Sequence, residues 1–361
     1  MGILIAILVF EFMILIHEWG HYIAARKNGV FVQEFALGMG PKIVGWTSKK
    51  TGTLYSWRVF PIGGYCQMLG EDEKVERKDS FSSKSIPARI AIVAAGPFMN
   101  IAIAFILNLV LIIFNGYATT VIQSLDEGYG AIQAGIEPGD EIVAVNGERV
   151  HILQDVNYAL AGNGEQAMEV TLRKTDGTEK TVVIVPQYDE ALGRYRLGIS
   201  VGGYAQGWGG AISEKGIGVV PELIGNTFGQ AFWQMTGNIK LVIRSFVQLI
   251  TGQMGLDSLM GPIGIVNVVG DSYNAVAAVN LWAAISNVLS LTALLSVNMG
   301  VMNLFPIPAL DGSRIVFLTV EGIRKKPLSQ KLEAGIYTAG FLLLMALMAF
   351  IAYQDIVRLF V

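Results

Sequence analysis

The chain has 361 residues, of which 52% are hydrophobic and 15% charged, and its formal net charge is −3. Soluble domains usually carry about a quarter charged residues, so this composition favours membrane-embedded segments. The negative charge argues against a nucleic-acid partner, which requires a basic face. The single cysteine excludes an intrachain disulfide.

Four apolar stretches are long enough to cross a bilayer as helices. We predict transmembrane helices at about 3–25, 90–114, 281–304 and 334–357. The third is rich in small and polar residues, which suits a helix that faces protein rather than lipid. The predicted fold is therefore a multi-pass α-helical membrane protein with two membrane halves, 1–116 and 281–361.

Basic residues set the predicted orientation. Residues 26–89 hold eleven Lys and Arg, whereas residues 115–280 hold nine over more than twice the length. The short connection after the third span is also basic. The positive-inside rule places both basic loops in the cytoplasm. The two termini and the segment between spans two and three are then predicted to be extracytoplasmic.

The first loop, residues 26–89, contains two strand-like stretches, Val30 to Pro41 and Thr53 to Phe60. Turn-forming residues punctuate them, namely Gly38, Gly40, Pro41, Pro61, Gly63 and Gly64. Because these stretches are apolar, we expect a β-hairpin region that touches the membrane. A charged linker, Glu71 to Lys84, follows.

Residues 117–204 have the pattern of a small β-rich domain. A strand, Glu141 to Val145, leads into the hairpin turn Asn146-Gly147, and a second hairpin surrounds Asp176-Gly177. The run AGIEPGDEIVAVNG resembles a PDZ domain of the circularly arranged bacterial type. In such a domain the carboxylate-binding loop falls late, and Leu197, Gly198 and Ile199 are the candidate.

Residues 205–280 are predicted to be a linker with one amphipathic helix. Phe228, Phe232, Met235, Ile239, Val242 and Phe246 recur at helical spacing between Ile217 and Thr251. This face suits a helix lying on the outer membrane surface. A helix packed on the β-rich domain is an equally good interpretation.

The first span ends in the sequence HEWGH. His17 and His21 are one helical turn apart and project from one face, which suits two ligands of a single zinc ion. Glu18 between them is placed to act as a general base. Ionisable groups are expensive at membrane depth, so three together indicate a function. His17 lies roughly 24 Å along the helix from the N-terminus, which predicts a site near the cytoplasmic face.

Two histidines are too few, because a catalytic zinc usually has three protein ligands. Asp311 is the candidate third ligand, in NLFPIPALDGSR, where the third span ends. Pro306 and Pro308 break the helix there, and free backbone at membrane depth is tolerated only in protein or a wet cavity. The alternative is an ordinary turn leaving the membrane, with Asp311 as a helix cap.

Taken together, HEWGHYIAARKNGV, EFALGMGPK and NLFPIPALDG resemble the site-2 protease family of intramembrane zinc metalloproteases. PIGGY, AAGPFMN and GPIGI match further family segments in the same order. The arrangement, with one PDZ-like domain, is similar to the bacterial RseP/RasP-like branch. Ser313 is a departure, since many members have a second glycine there.

The resemblance implies one Zn²⁺ per chain on His17, His21 and Asp311, with Glu18 as the catalytic base. It implies substrate-binding roles for Asn303, Asn100, Pro306 and the loop glycines Gly38, Gly40, Gly63 and Gly64, whose strands would pair with an unwound substrate. The implied substrates are single-pass membrane proteins, such as anti-sigma factors, or remnant signal peptides. The implied location is the bacterial cytoplasmic membrane.

Some interpretations remain open on the sequence alone. The PDZ-like domain could bind a freshly cut C-terminus, exclude substrates with bulky outer domains, or act as a spacer. Glu11, seven residues before Glu18, either lines the inner cavity or sits near the wet outer end of the span. The rival functions are a non-catalytic membrane scaffold and a zinc transporter.

Overall fold

The computed structural model describes residues 2–71, 73, 75–163, 165–190, 193–326 and 329–358. The helices of this part are α1 (Gly2–Lys27), α2 (Ile86–Asn115), α3 (Gly130–Gln133), α4 (Leu153–Asn163), α5 (Trp208–Lys215), α6 (Val220–Ile250), α7 (Pro262–Ala277), α8 (Leu281–Leu304), α9 (Asp311–Arg324) and α10 (Gln330–Arg358). The strands are β1 (Val32–Thr47), β2 (Leu54–Met68), β3 (Tyr117–Ala118), β4 (Ile122–Leu125), β5 (Glu141–Val145), β6 (Glu148–Arg149), β7 (Met168–Arg173), β8 (Glu179–Ile184), β9 (Gln187–Asp189), β10 (Arg194–Arg196), β11 (Ile199–Val201) and β12 (Tyr204–Ala205).

Among the described residues, four helices are long and apolar enough to cross a membrane: α1, α2, α8 and the Lys331–Arg358 part of α10. This confirms a long apolar helix at each of the four predicted positions, and α8 matches its prediction at both ends. The helix α2 begins four residues before its predicted start, at Ile86, and continues through Pro97. A proline within a membrane helix is tolerated where neighbouring groups satisfy the freed backbone.

The described chain forms two compact units, Asn108–Gly237 and a unit that joins Met1–Leu107 to Asn238–Val361. In the latter, the buried residues of α1 recur every three or four positions, so one face of this helix is covered by protein. Gly20 on this face lies against the backbone carbonyl of Ala95, where a Cβ would clash. The absent side chain therefore lets α1 and α2 approach to backbone contact.

The strands β1 and β2 form one antiparallel pair that is longer than predicted. Residues 34–37 lie opposite both 64–67 and 54–57, while residues 42–47 pair with 54–58. The glycines and prolines predicted to end the strands instead lie inside them, so that assignment of turns was wrong. Gly38, Gly40 and Gly63 have positive φ, a conformation that glycine adopts without strain and that bends a strand at a bulge.

The unit Asn108–Gly237 contains the β-rich segment. Its four-stranded sheet has the order β6-β5-β7-β8, and β4 pairs with β11, β3 with β12 and β9 with β10. Asn146 and Gly147 both have positive φ between β5 and β6, as the predicted hairpin turn requires. The sheet buries a core that includes Ile142, Met168 and Leu172.

The segment predicted as a linker contains α5, α6 and α7. In the first half of α6, Trp233 stacks on His151 with ring centroids 3.5 Å apart, and Thr227 is buried. Ile224, Phe228 and Phe232 of the same helix are exposed. The helix thus packs on the β-rich unit, as one of the two interpretations has it, and its position on a membrane surface stays a prediction.

The contact between Gly20 and Ala95 predicts a stability effect. Gly20→Ala should cost about 1–3 kcal/mol, because the new methyl meets a backbone carbonyl that cannot rotate away. Thermal unfolding of the detergent-purified protein should show a lower midpoint. The control is Gly335→Ala on α10, where an added Cβ meets no described atom. An unchanged midpoint for Gly20→Ala would contradict the observed packing.

Candidate metal centre

Two imidazoles on α1 form the first part of the site. His17 and His21 are buried, and their Nε2 atoms are 3.1 Å apart. This pairing follows from the helix itself, because residues four apart lie one above the other. Gly96 of α2 faces both rings, and a Cβ at that position would overlap the His21 imidazole. A glycine in α2 is therefore what makes room for the two rings.

The structure brings Asp311 to these rings although about 290 residues separate them. Its Oδ2 lies 3.1 Å from His17 Nε2 and 3.4 Å from His21 Nε2. Asp311 is the first residue of α9. The N-cap position of α9 is taken by Leu310, and the Asp311 carboxylate faces the imidazoles, an arrangement that suits a metal ligand.

The residues that end α8 also form the loop before Asp311. This helix ends at Leu304, and Pro306 and Pro308 lack the amides needed to continue it. Ala309 has φ 75°, a sparsely populated conformation for a residue with a Cβ, of the kind that collects at functional sites. Gly312 lies against the carbonyls of Leu304 and Phe305, where a side chain would clash. These constraints return the chain towards α1.

Each imidazole also has a partner on its other nitrogen. His21 Nδ1 is 3.0 Å from the carbonyl of Ile92, so Nδ1–H donates to it and Nε2 keeps a lone pair. His17 Nδ1 is 3.4 Å from Asn100 Nδ2, and Asn100 Oδ1 has no hydrogen-bond partner among the described residues. With this side-chain amide turned by about 180°, Oδ1 would accept Nδ1–H of His17. Such partners fix the tautomer and ring orientation of metal-binding histidines.

The donor set fits a zinc ion. His17, His21 and Asp311 each offer one atom, and these atoms lie within 4.8 Å of one another. Among the described residues, the buried Oδ2 of Asp311 has no hydrogen-bond partner. Two imidazole nitrogens and one carboxylate oxygen are ligands of catalytic zinc sites, which keep one position open. A cation between them would satisfy all three atoms.

Glu18 and the sheet lie beside this centre. Gly64 of β2 approaches the Glu18 side chain, since a Cβ built on this glycine would lie 3.9 Å from Glu18 Cγ. Strand β2 therefore runs along the face of α1 that carries the glutamate. Burial raises the pKa of the Cys66 thiol well above its ordinary value, so this cysteine stays protonated and is a poor nucleophile.

The other predicted residues lie in different places. Asn100 is fully buried behind His17. Asn303 is half-buried in the last turn of α8, and Pro306 is exposed in the loop that follows. Gly40 lies within β1, and its backbone carbonyl accepts a hydrogen bond from the Arg58 guanidinium at 2.6 Å. Gly198, with its neighbours Leu197 and Ile199, belongs to the β-rich unit.

Sequence reasoning missed two ion pairs that hold α9. Arg314 pairs with Glu71, just after β2, and the Arg314 guanidinium also donates to the Glu71 carbonyl. Arg89 of α2 pairs with Glu321 at 2.6 Å. These side chains were assigned to basic loops and a charged linker, although Arg314 follows Asp311 by three residues and so shares its side of a helix.

Comparison with known proteins agrees with a zinc-protease site in a membrane protein. Residues 5–347 match the model of peptidase family M50. The chain is 35% identical to a candidate zinc metalloprotease of Clostridium acetobutylicum over 356 residues, which covers 99% of this chain and 97% of that protein. It is 28% identical to the regulator of sigma-W protease RasP of Bacillus subtilis over 437 residues, covering 98% of each.

The class of protein is thus a site-2-type zinc metalloprotease. The chain belongs to peptidase family M50, and its cofactor is Zn²⁺. This assignment displaces the scaffold and transporter alternatives.

The site predicts a metal content that is easy to measure. Purified wild-type protein should hold about one zinc per chain, and His17→Ala or Asp311→Ala should lose it, because two ligands bind zinc far more weakly than three. Elemental analysis after dialysis is the measurement. His151→Ala, which removes the third histidine of the chain, is the matched control and should keep its zinc. Full zinc in Asp311→Ala would refute the ligand set.

Proposed function

We propose that this metalloprotease hydrolyses peptide bonds inside the transmembrane segments of single-pass membrane proteins, in regulated intramembrane proteolysis. The observation that carries the proposal is the convergence of His17, His21 and Asp311 beside Glu18, on helices apolar enough to cross a membrane. A polar cluster at such a position is costly. A substrate that itself lies in the bilayer would explain why the polar cluster is carried on membrane-spanning helices.

In this proposal His17, His21 and Asp311 hold the zinc through Nε2, Nε2 and Oδ2. Bound there, zinc supplies Lewis acidity, which acidifies water and polarises a peptide carbonyl. The protein contributes the fixed orientation of its ligands. The Ile92 carbonyl keeps the His21 imidazole in the tautomer that presents Nε2. Asn100, with Oδ1 turned towards His17 Nδ1–H, would do the same for His17. We therefore assign Asn100 to orienting His17, a more specific role than contact with substrate.

Glu18 manages the proton in the cleavage. Its carboxylate takes a proton from the attacking water as the oxygen bonds to the scissile carbonyl carbon. The same proton then passes to the amide nitrogen as the C–N bond breaks, so the products are a new carboxyl end and a new amine. Asn303, in the last turn of α8, would bind the developing oxyanion or the substrate backbone.

The sheet would hold the unwound substrate. A transmembrane helix must lose its internal hydrogen bonds before it can be cut, and bare amides are expensive in lipid. Strand β2 passes along Glu18 at Gly64, so a substrate strand added at this edge would lie beside the base. Strand addition satisfies the backbone of the incoming peptide. Gly38, Gly40 and Gly63 shape this edge, and Pro306 would border the same region.

The sheet also carries apolar side chains suited to lipid. Met39, Ile43, Trp46, Trp57 and Phe60 are each at least half exposed. Monomeric soluble proteins rarely leave so many large apolar side chains uncovered in one region. Insertion of this hairpin region into the bilayer accounts for that exposure.

We further propose that residues 117–204 are a PDZ-like domain outside the cytoplasm, with the zinc near the cytoplasmic face, as the basic loops predict. Gly198 has φ 75°, and its carbonyl accepts from the Asp126 amide, so the Leu197-Gly198-Ile199 turn is well defined. It would receive a freshly cut C-terminus, or the domain would exclude substrates with bulky outer parts.

The substrates would be membrane-anchored regulators or leftover signal peptides. The name of the Bacillus subtilis relative, regulator of sigma-W protease, supports anti-sigma factors as one class. Both classes present a single membrane span. Both fit a bacterial cytoplasmic membrane location with the two termini outside the cytoplasm.

The decisive prediction concerns Glu18. Glu18→Gln should lower the turnover of a single-pass model substrate by at least about 100-fold, because the amide cannot accept the proton. Zinc content should stay at about one per chain, since the ligands are unchanged. Cleavage by purified enzyme in detergent or vesicles measures this. Equal rates for wild type and Glu18→Gln would overturn the proposed function.

The requirement for unwinding predicts a substrate preference. A model span with a central Gly-Pro pair should be cut at least about tenfold faster than an all-leucine span, because proline costs a helix about 3 kcal/mol. The control pair places Gly-Pro outside the membrane segment, where no rate difference is expected. Equal rates for the helical and the broken span would argue against strand addition.

A further inference from the structure

Glu11 is an acidic side chain within a span that otherwise carries the catalytic residues. It precedes Glu18 by seven residues, two helical turns, so the two carboxylates lie on nearly the same side of α1. The chemistry of cleavage does not use it. An ionisable group in an apolar span is costly enough that its contacts indicate a role.

The contacts of Glu11 are to the backbone of the sheet. Its Oε2 accepts the amide of Gly63, in β2, at 3.1 Å. Within the described part of the chain, the buried Oε1 has no hydrogen-bond partner. One carboxylate on α1 thus holds the backbone of β2 at Gly63.

Gly63 is a point where β2 bends. It has φ 100°, and a Cβ at this position would contact the Met39 side chain of β1. The next residue, Gly64, faces the catalytic base, because a Cβ built there would lie 3.9 Å from Glu18 Cγ. Glu11 therefore holds β2 directly beside the residue that approaches Glu18.

We propose that Glu11 is a positioning residue that sets the register of the β2 edge against Glu18, and so decides which substrate bond reaches the base. This rests on the proposed strand addition at that edge. Two paired strands align residue by residue, so a slip of the β2 edge would move a paired substrate strand by whole residues. Glu11 acts through the strand and touches neither the zinc nor the scissile bond.

Removal of the Glu11 carboxylate should change which bond of the substrate is cut. Glu11→Ala frees Gly63, so we expect cleavage at additional bonds one or two residues away and about a tenfold higher KM. The value of kcat should change less than about threefold, and zinc should stay near one per chain. Glu11→Gln keeps an acceptor oxygen and should restore the wild-type cut. Mass spectrometry of the products from a single-pass model substrate identifies the bonds.

Two further variants make the test decisive. Phe12→Ala alters a neighbouring, exposed residue of α1 and should leave the cut bond and KM unchanged. Glu11→Asp retains the acid but shortens its reach by one methylene, and it replaces Glu11→Ala as the test if the latter holds no zinc. It should also broaden the set of cut bonds.

The outcomes separate this proposal from the function on which it rests. If wild type cuts, Glu18→Gln does not, and Glu11→Ala and Glu11→Asp cut only the wild-type bond with unchanged KM, the role of Glu11 is refuted and the protease assignment stands. If Glu18→Gln cuts like wild type, the proposed function itself fails. A shifted set of cut bonds with zinc retained supports the register role, since a general loss of stability would lower activity without moving the cut.

Discussion

Polar groups in an apolar setting constrain this structure more than any other factor. His17 and His21 are buried on a helix that is long and apolar enough to span a membrane, where an unsatisfied donor or acceptor is costly. This cost is reduced only if the groups bind one another or bind the same cation. Asp311 meets both imidazoles through one oxygen. The ends of α8 and α1 must therefore come together, whatever the rest of the chain does.

The surrounding chain fixes this meeting at several levels. Gly96 leaves the space that two rings need, and the Ile92 carbonyl and Asn100 orient the rings from behind. The helix that begins with Asp311 is held further along by Arg314, paired with Glu71. Since Glu71 follows β2 closely, this ion pair connects the helix that carries Asp311 to the strand beside Glu18.

In the proposed function, the sheet answers the same constraint. An unwound substrate in lipid would need hydrogen-bond partners, and a strand edge offers them in a regular row. The edge would also have to stand at a fixed height beside Glu18. The hydrogen bond from the Gly63 amide to Glu11 holds β2 next to Gly64, the residue that approaches Glu18.

Sequence alone determined the four spans, the His17 and His21 pair with Glu18 between them, and Asp311 as the third-ligand candidate. These are local properties, since hydropathy, a four-residue spacing and helix-breaking prolines can be read within a short window. The tertiary structure decided that β1 and β2 continue through their glycines. It also decided the pairing of Arg314 with Glu71. Neither has a local signature, because a bulge and a long-range ion pair depend on which distant segment lies opposite.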